Sequence, residues 1–325
     1  MSYRLRAEPE DFLVEELPLY EPAGEGEHTF VWVEKRLRTT EEVARVLARC
    51  AAVRPGDVGY AGRKDRVAVA RQWLSVPGLD PAAALALEAP GVRVLDARRH
   101  RHKLRTGQLR GNRFRLRVRD AAPEALERAP ERAAELGRVG LTNRFGSQRF
   151  GAEGANPERA RALLAGESGA WPRDRRAARF LLSSLQAAVF NEVLERRPLA
   201  LDAVEAGDVA VVCASGGLFV VEDAEREQPR AASFEISATG PVFGTRMTEA
   251  AGAPGERERA ACAAFGVDLA SFRPPRGVRA RGARRALRVR PVGLVLEREG
   301  ERDLALAFEL PAGSYATVLV EALLG

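Results

Sequence analysis

The stretch Val58–Val76, VGYAGRKDRVAVARQWLSV, reads as a short strand, a loop and a second strand. The loop, AGRKDR, sets one carboxylate, Asp65, between Lys64 and Arg66, directly after a Gly-Arg turn. Two adjacent cations favour the ionised carboxylate, the state that a nucleophile or base requires near neutral pH. The same spacing also fits a plain surface turn with solvated charges. Gly59 and Gly62 add weight to the functional reading, because residues without a Cβ let backbone or substrate approach closely.

Upstream of it, His28 to Lys35 (HTFVWVEK) alternates β-branched and aromatic residues and reads as a strand. Thr39 to Val53 reads as a helix, with Thr39 and Glu42 spaced for a capping box and Val43, Val46, Leu47 and Cys50 at helical spacing. Phe114, Leu116 and Val118 alternate with Arg113, Arg115, Arg117 and Arg119, which predicts a strand with one apolar and one basic face. That basic face is expected to look toward solvent or RNA. Residues 123–138 read as a helix, Asn156-Pro157 opens another, and Arg179 to Leu194 forms the longest apolar-periodic stretch. Short strands are expected at Asp208 to Cys213 and Leu218 to Val221, followed by a change of character in the Gly/Pro/Ala-rich stretch 240–255. The early style returns at Ala286 to Arg290, Val292 to Glu297 and Leu304 to Leu310, all strand-like. The expectation is an α+β protein: a core of residues 1–152 and 286–325 built from both ends, and an inserted domain at 153–285.

Three further segments carry polar chemistry. GLTNRFGSQRFG (Gly140 to Gly151) interleaves Asn143, Phe145, Gln148 and Phe150 with Arg144 and Arg149. Aromatics that stack on bases, amides that read base edges and arginines that hold phosphates suit single-stranded RNA, although Phe145 or Phe150 equally fits a core position behind a tight turn. RRHRHKLRTGQLRGNRFRLRVR (Arg98 to Arg119) is a dense basic run broken by Gly107 and Gly111, suited to tracking a phosphate backbone. PEDFLVEE (Pro9 to Glu16) and LPAGSYATV (Leu310 to Val318) place Phe12 and Tyr315 where, by composition alone, either is core or ligand.

The bulk properties narrow the classes. A net charge of +6 favours a polyanionic partner without proving one. No apolar run is long enough to cross a bilayer, and the start, MSYRLRAEPEDF, lacks the apolar stretch of a signal peptide, so a cytoplasmic protein is expected. Three scattered cysteines and three histidines, without ligand spacing, point to no metal and no disulfide. Only three of the 51 basic residues are lysine, Lys35, Lys64 and Lys103.

Together these segments resemble the TruD family of tRNA pseudouridine synthases, from PEDF near the beginning to LPAGSYAT near the end. GYAGRKDRVAVARQW matches the family's GxKD followed by a small-residue, apolar run ending in Gln-Trp, and NRFGSQRFG is nearly as distinctive. GEGEHTFVWVEK and HRHKLRTGQLRGNRF fall in the family's order between and around them. The resemblance implies a pseudouridine-synthase core, a mixed or antiparallel sheet flanked by helices, with an inserted α/β TRUD domain. It implies Asp65 as the catalytic aspartate, and Phe12, Asn143, Phe145 and Tyr315 around the target base. Lys64 belongs to the same motif and is expected at the RNA, and Arg6, which falls where relatives can carry lysine, is a candidate partner for the aspartate. Some relatives carry phenylalanine at the position of Tyr315, so stacking is the property shared there. The implied substrate is uridine 13 in the D arm of tRNA, with no cofactor and no protein partner. Two rivals remain at this stage. One is a non-catalytic RNA-binding or chaperone protein on the same scaffold, the other an RNA methyltransferase, for which no glycine-rich donor loop follows a first strand.

Overall fold

The structure is a computed structural model and describes residues 3–151, 153–167 and 169–325. The chain divides into two compact units: Met1–Ala134 with Pro291–Ala316 and Leu323–Gly325, and Glu135–Arg290 with Thr317–Ala322. Its class is α+β.

The first unit is built on a nine-stranded mixed sheet. In chain order its first strands are β1 (Arg4–Leu5), β2 (Phe12–Pro18), β3 (His28–Arg36), β4 (Gly59–Tyr60), β5 (Val69–Pro77), β6 (Val92–His100) and β7 (Leu109–Arg119). Late in the chain come Val292–Glu299 and Asp303–Pro311. From one edge the order is Val292–Glu299, Asp303–Pro311, β7, β2, β5, β3 and β6, with β1 beside β7 and β4 beside β5. β2 runs parallel to β5, and the other pairings are antiparallel.

Alternation accounts for much of this sheet. Phe114, Leu116 and Val118 of β7 are buried and lie opposite Phe308, Leu306 and Leu304, so three apolar pairs fix the register across a long sequence separation. The Phe114 and Phe308 rings stack with centroids 5.2 Å apart. Each such buried side chain contributes roughly 1.5–3 kcal/mol relative to exposure. The expected helix forms as α1 (Thr40–Cys50), and Thr39 and Glu42 make the reciprocal capping box. Its apolar face, Val43, Ala44, Leu47 and Ala48, packs with Val31, Val33, Leu74 and Val76 of the sheet.

The helix stops at Cys50 rather than Val53. Ala52 takes φ 54°, and the Val53 amide reaches back to the Ala48 carbonyl, a left-handed closure that satisfies a terminal carbonyl before Pro55. Strands β2 and β6 are features that local composition does not announce.

The second unit holds a four-stranded antiparallel sheet in the order Leu218–Val220, Val209–Val212, Ile236–Val242, Ala283–Ala286. The long helix Arg175–Arg196, longer than the expected 179–194, begins at Asp174, whose side chain accepts from the Arg176 amide. Leu181, Leu182, Leu185 and Val189 of this helix join Phe243, Cys262 and Phe272 in one core cluster. Phe190, on the same helix, belongs to a second with Ile236, Ala238 and Leu287. Within the Gly/Pro/Ala-rich stretch the chain is ordered, since it carries the end of the Ile236–Val242 strand and the start of the helix Gly252–Ala264. Among the described residues no helix is long and apolar enough to cross a membrane.

Candidate functional site

In the first unit, the loop between β4 and β5 carries Asp65 and is pinned from its inner side. The Lys64 amide donates to the Thr40 hydroxyl (2.9 Å), and that hydroxyl donates to the Gln72 side-chain oxygen (2.9 Å). Gln72 in turn donates to the Gly62 carbonyl at 3.3 Å. The Lys64 ammonium lies 2.7 Å from Glu16, with the two side chains 5% and 1% exposed. Burial pushes the Glu16 carboxyl above its ordinary range, and the Lys64 charge opposes that rise. Lys64, expected at the RNA, is therefore committed to a partner inside the protein. Lys64 thus turns in, while the next residue, Asp65, turns out.

Asp65 is 42% exposed, and its Oδ2 accepts from a guanidinium nitrogen of Arg6 at 2.7 Å. The cation beside the carboxylate is thus Arg6, the residue after β1, rather than the sequence neighbour Lys64. Arg6 has φ 67°, a left-handed conformation that costs a non-glycine residue of order 1–3 kcal/mol. Its Nε is buried without a hydrogen-bond partner among the described residues, a second local cost. Its guanidinium carbon lies 4.1 Å from the centre of the Phe12 ring. Phe12 itself is 3% exposed and packs edge-on against Phe114, so it supports Arg6 from the core. Arg6, Phe12 and Asp65 form one contiguous group.

Lys35, which sequence reasoning did not single out, lies under the same loop. It is buried on β3, and its ammonium donates to the backbone carbonyls of Asp65 (2.5 Å) and Arg38 (2.7 Å). The one sequence signal pointing to it is the scarcity of lysine. At Gly59 it is backbone, of the two expected alternatives, that approaches closely. A Cβ there would collide with the Leu104 carbonyl oxygen, so its smallness serves packing of the chain against itself. Tyr315 is half-buried in the turn before the helix Ala316–Leu324.

In the second unit, Asn143 and Phe145 are held together. Asn143 is buried; its side-chain amide donates to the Ala286 carbonyl (2.9 Å), and its side-chain oxygen accepts from Arg285 (2.5 Å). Arg285 also donates to the Asn143 backbone carbonyl and places its guanidinium carbon 4.2 Å from the Phe145 ring centre. Asn191, on the long helix, brackets the Phe145 backbone, accepting from its N–H (2.9 Å) and donating to its C=O (3.0 Å). Phe145 is half-buried and meets Phe190 edge-on at 5.4 Å. Arg285 and Asn191 were not legible as partners of this motif, because each meets it only through the fold.

The basic face of β7 is less open than its composition suggests. Arg113 pairs with Glu309 and Glu15, Arg117 with Glu299, and Arg119 with the buried Asp11. Arg98 and Arg101 pair with Asp96 and Glu25. Carboxylates from strands and turns nearby thus occupy much of the charge that the sequence alone presents as available to phosphate.

A family model for tRNA pseudouridine synthase D (TruD) matches residues 1–170 and 174–323 of this chain. Relatives named tRNA pseudouridine synthase D include one from Anaeromyxobacter dehalogenans, 47% identical over 98% of this chain and 92% of the relative. Another, from Geobacter metallireducens, is 41% identical over 96% of this chain and 92% of the relative. The fold is also that of a crystal structure from Methanosarcina mazei, described as a putative tRNA pseudouridine synthase D, at TM-score 0.75 and 22% identity, covering 99% of this chain and 93% of that one. The chain is a pseudouridine synthase, an isomerase, and belongs to the tRNA pseudouridine synthase D family.

Proposed function

We propose that this chain isomerises uridine 13 in the D arm of tRNA to pseudouridine, with the Asp65 carboxylate as nucleophile or base. One observation supports the assignment above the others. The loop is anchored inward by Lys64, Thr40 and Gln72, while Asp65 turns outward against Arg6, a residue bearing both backbone strain and an unmade hydrogen bond. Local costs of that kind persist where function requires a geometry that the fold alone would not choose.

The reaction breaks the N1–C1′ bond, turns the uracil and forms C5–C1′; a proton leaves C5 and one is taken up at N1. Atoms and electrons balance within the nucleoside, so the chemistry calls for no cofactor, metal or protein partner. Asp65 can act by attack at C1′, by attack on the ring, or by removing a sugar proton to give a glycal. In each route the carboxylate works near the sugar after the target has left its stack, at an unstacking cost of a few kcal/mol. Within the first unit Tyr315 is assigned to stacking on RNA and Phe12 to supporting Arg6; within the second, Phe145 is assigned to stacking on RNA and Asn143 to RNA contact. Residues 153–285 are assigned as an insert in a core of 1–152 and 286–325, and the place of action is the cytoplasm.

Mapping pseudouridine in tRNA tests the reading. Cells lacking the chain should carry uridine at position 13, and wild type, but not Asp65→Asn, should restore the modification. Pseudouridine persisting there in the deletion strain, or restored by the asparagine variant, would overturn the proposal.

A further inference from the structure

We infer that Lys35 is the positioning residue for Asp65: its buried ammonium ties the main chain of the reactive loop to the segment that opens α1, and so fixes where the carboxylate points. The inference rests on the reading of Asp65 as the reacting group. Lys35 is 1% exposed, and its two hydrogen-bond acceptors are the carbonyl oxygens of Asp65 and Arg38 rather than a carboxylate. A buried ammonium held by neutral acceptors is an expensive way to fill space, and an apolar residue of similar volume would do so at lower cost. What the charge supplies is a strong pair of bonds at one point of one loop, the point carrying Asp65. The compact, rotatable ammonium suits two carbonyls, whereas a planar guanidinium suits a fork of acceptors. That fits a lysine here in a chain whose basic residues are nearly all arginine.

The charged groups around Lys35 are Asp65 and Lys64 on the loop and Glu41 and Glu42 on α1. Burial dominates among them and pushes the ammonium down to about 8. The protonated form therefore prevails below that pH and gives way to the neutral amine above it. Lys35 touches no reacting atom in this account, and its effect is carried by the Asp65 backbone.

The test is single-turnover tritium release from tRNA labelled at C5 of uridine, followed from about pH 6 to about pH 9.5, together with tRNA affinity. Wild type should lose rate as pH rises through about 8. Lys35→Met should keep the wild-type near-ultraviolet circular dichroism and bind tRNA within about twofold, yet release tritium about a hundredfold more slowly, the scale expected of a misplaced reacting group. The alkaline loss should be absent from its profile. A methionine variant within about threefold of wild type, with the alkaline loss intact, would overturn the inference. Asp65→Asn, assayed alongside, separates the failures: if it is active, the underlying reading falls, and if it is inactive while Lys35→Met is unimpaired, only the role of Lys35 falls.

Discussion

At the scale of single residues, the Asp65 loop works by opposition between neighbours. Lys64 and Asp65 are adjacent in sequence, yet one is bound to the buried Glu16 and the other meets Arg6 at the surface. The sequence marks the carboxylate correctly as flanked by cations, but which cation reaches it depends on the direction each side chain takes, and that is set by the sheet. If the Lys64–Glu16 pair anchors the loop, Lys64→Met leaves an uncompensated carboxylate in the core and should cost about 3–5 kcal/mol in urea unfolding. The double variant Lys64→Met/Glu16→Leu should recover much of that loss, because replacing both members of a buried pair with apolar groups is often neutral. A single variant as stable as wild type would show that Glu16 is relieved by some other route. The sites missed from sequence, Lys35, Arg285 and Asn191, share one property. Each acts on a backbone or ring that is remote in sequence, so no local pattern could name it.

At the scale of elements, periodicity reads well where one element has one apolar face. The capping box and apolar face of α1 and the alternation of β7 were all visible as residue types at fixed spacing. The strands β2 and β6 were not, and neither was the parallel pairing of β2 with β5, because partner and direction are set by sheet order rather than by local composition. The same limit applies to charge. The arginines of β7 look free in sequence, but Glu15, Glu299 and Glu309 reach them from other strands. The segment should therefore divide in its effect on tRNA binding. Replacing the exposed Arg105 and Arg110 with alanine should lower the slope of log affinity against log salt by about 0.7–0.9 for each phosphate no longer neutralised. Arg117→Ala should leave that slope nearly unchanged, since Glu299 already occupies its charge. Equal effects from all three positions would show that the ion pairs open when RNA binds.

At the scale of the whole molecule, the first unit is made from both ends of the chain, with Asp303–Pro311 paired along β7. The return of strand-like patterning after residue 286 was the sequence's indication of that arrangement, and Phe114, Leu116 and Val118 facing Phe308, Leu306 and Leu304 show why it holds. The candidate residues of each unit were legible as motifs, Asp65 in AGRKDR and Phe145 in NRFGSQRF, while the clamps that fix each became visible only after folding. The proposed function assigns the isomerisation to one outward-turned carboxylate, Asp65. Tritium release from tRNA carrying 5-tritiated uridine, by wild type and by Asp65→Asn at matched tRNA occupancy, tests it most directly. Release by wild type alone, with the variant at background despite retained binding, is the predicted result; turnover by Asp65→Asn near that of wild type would contradict it.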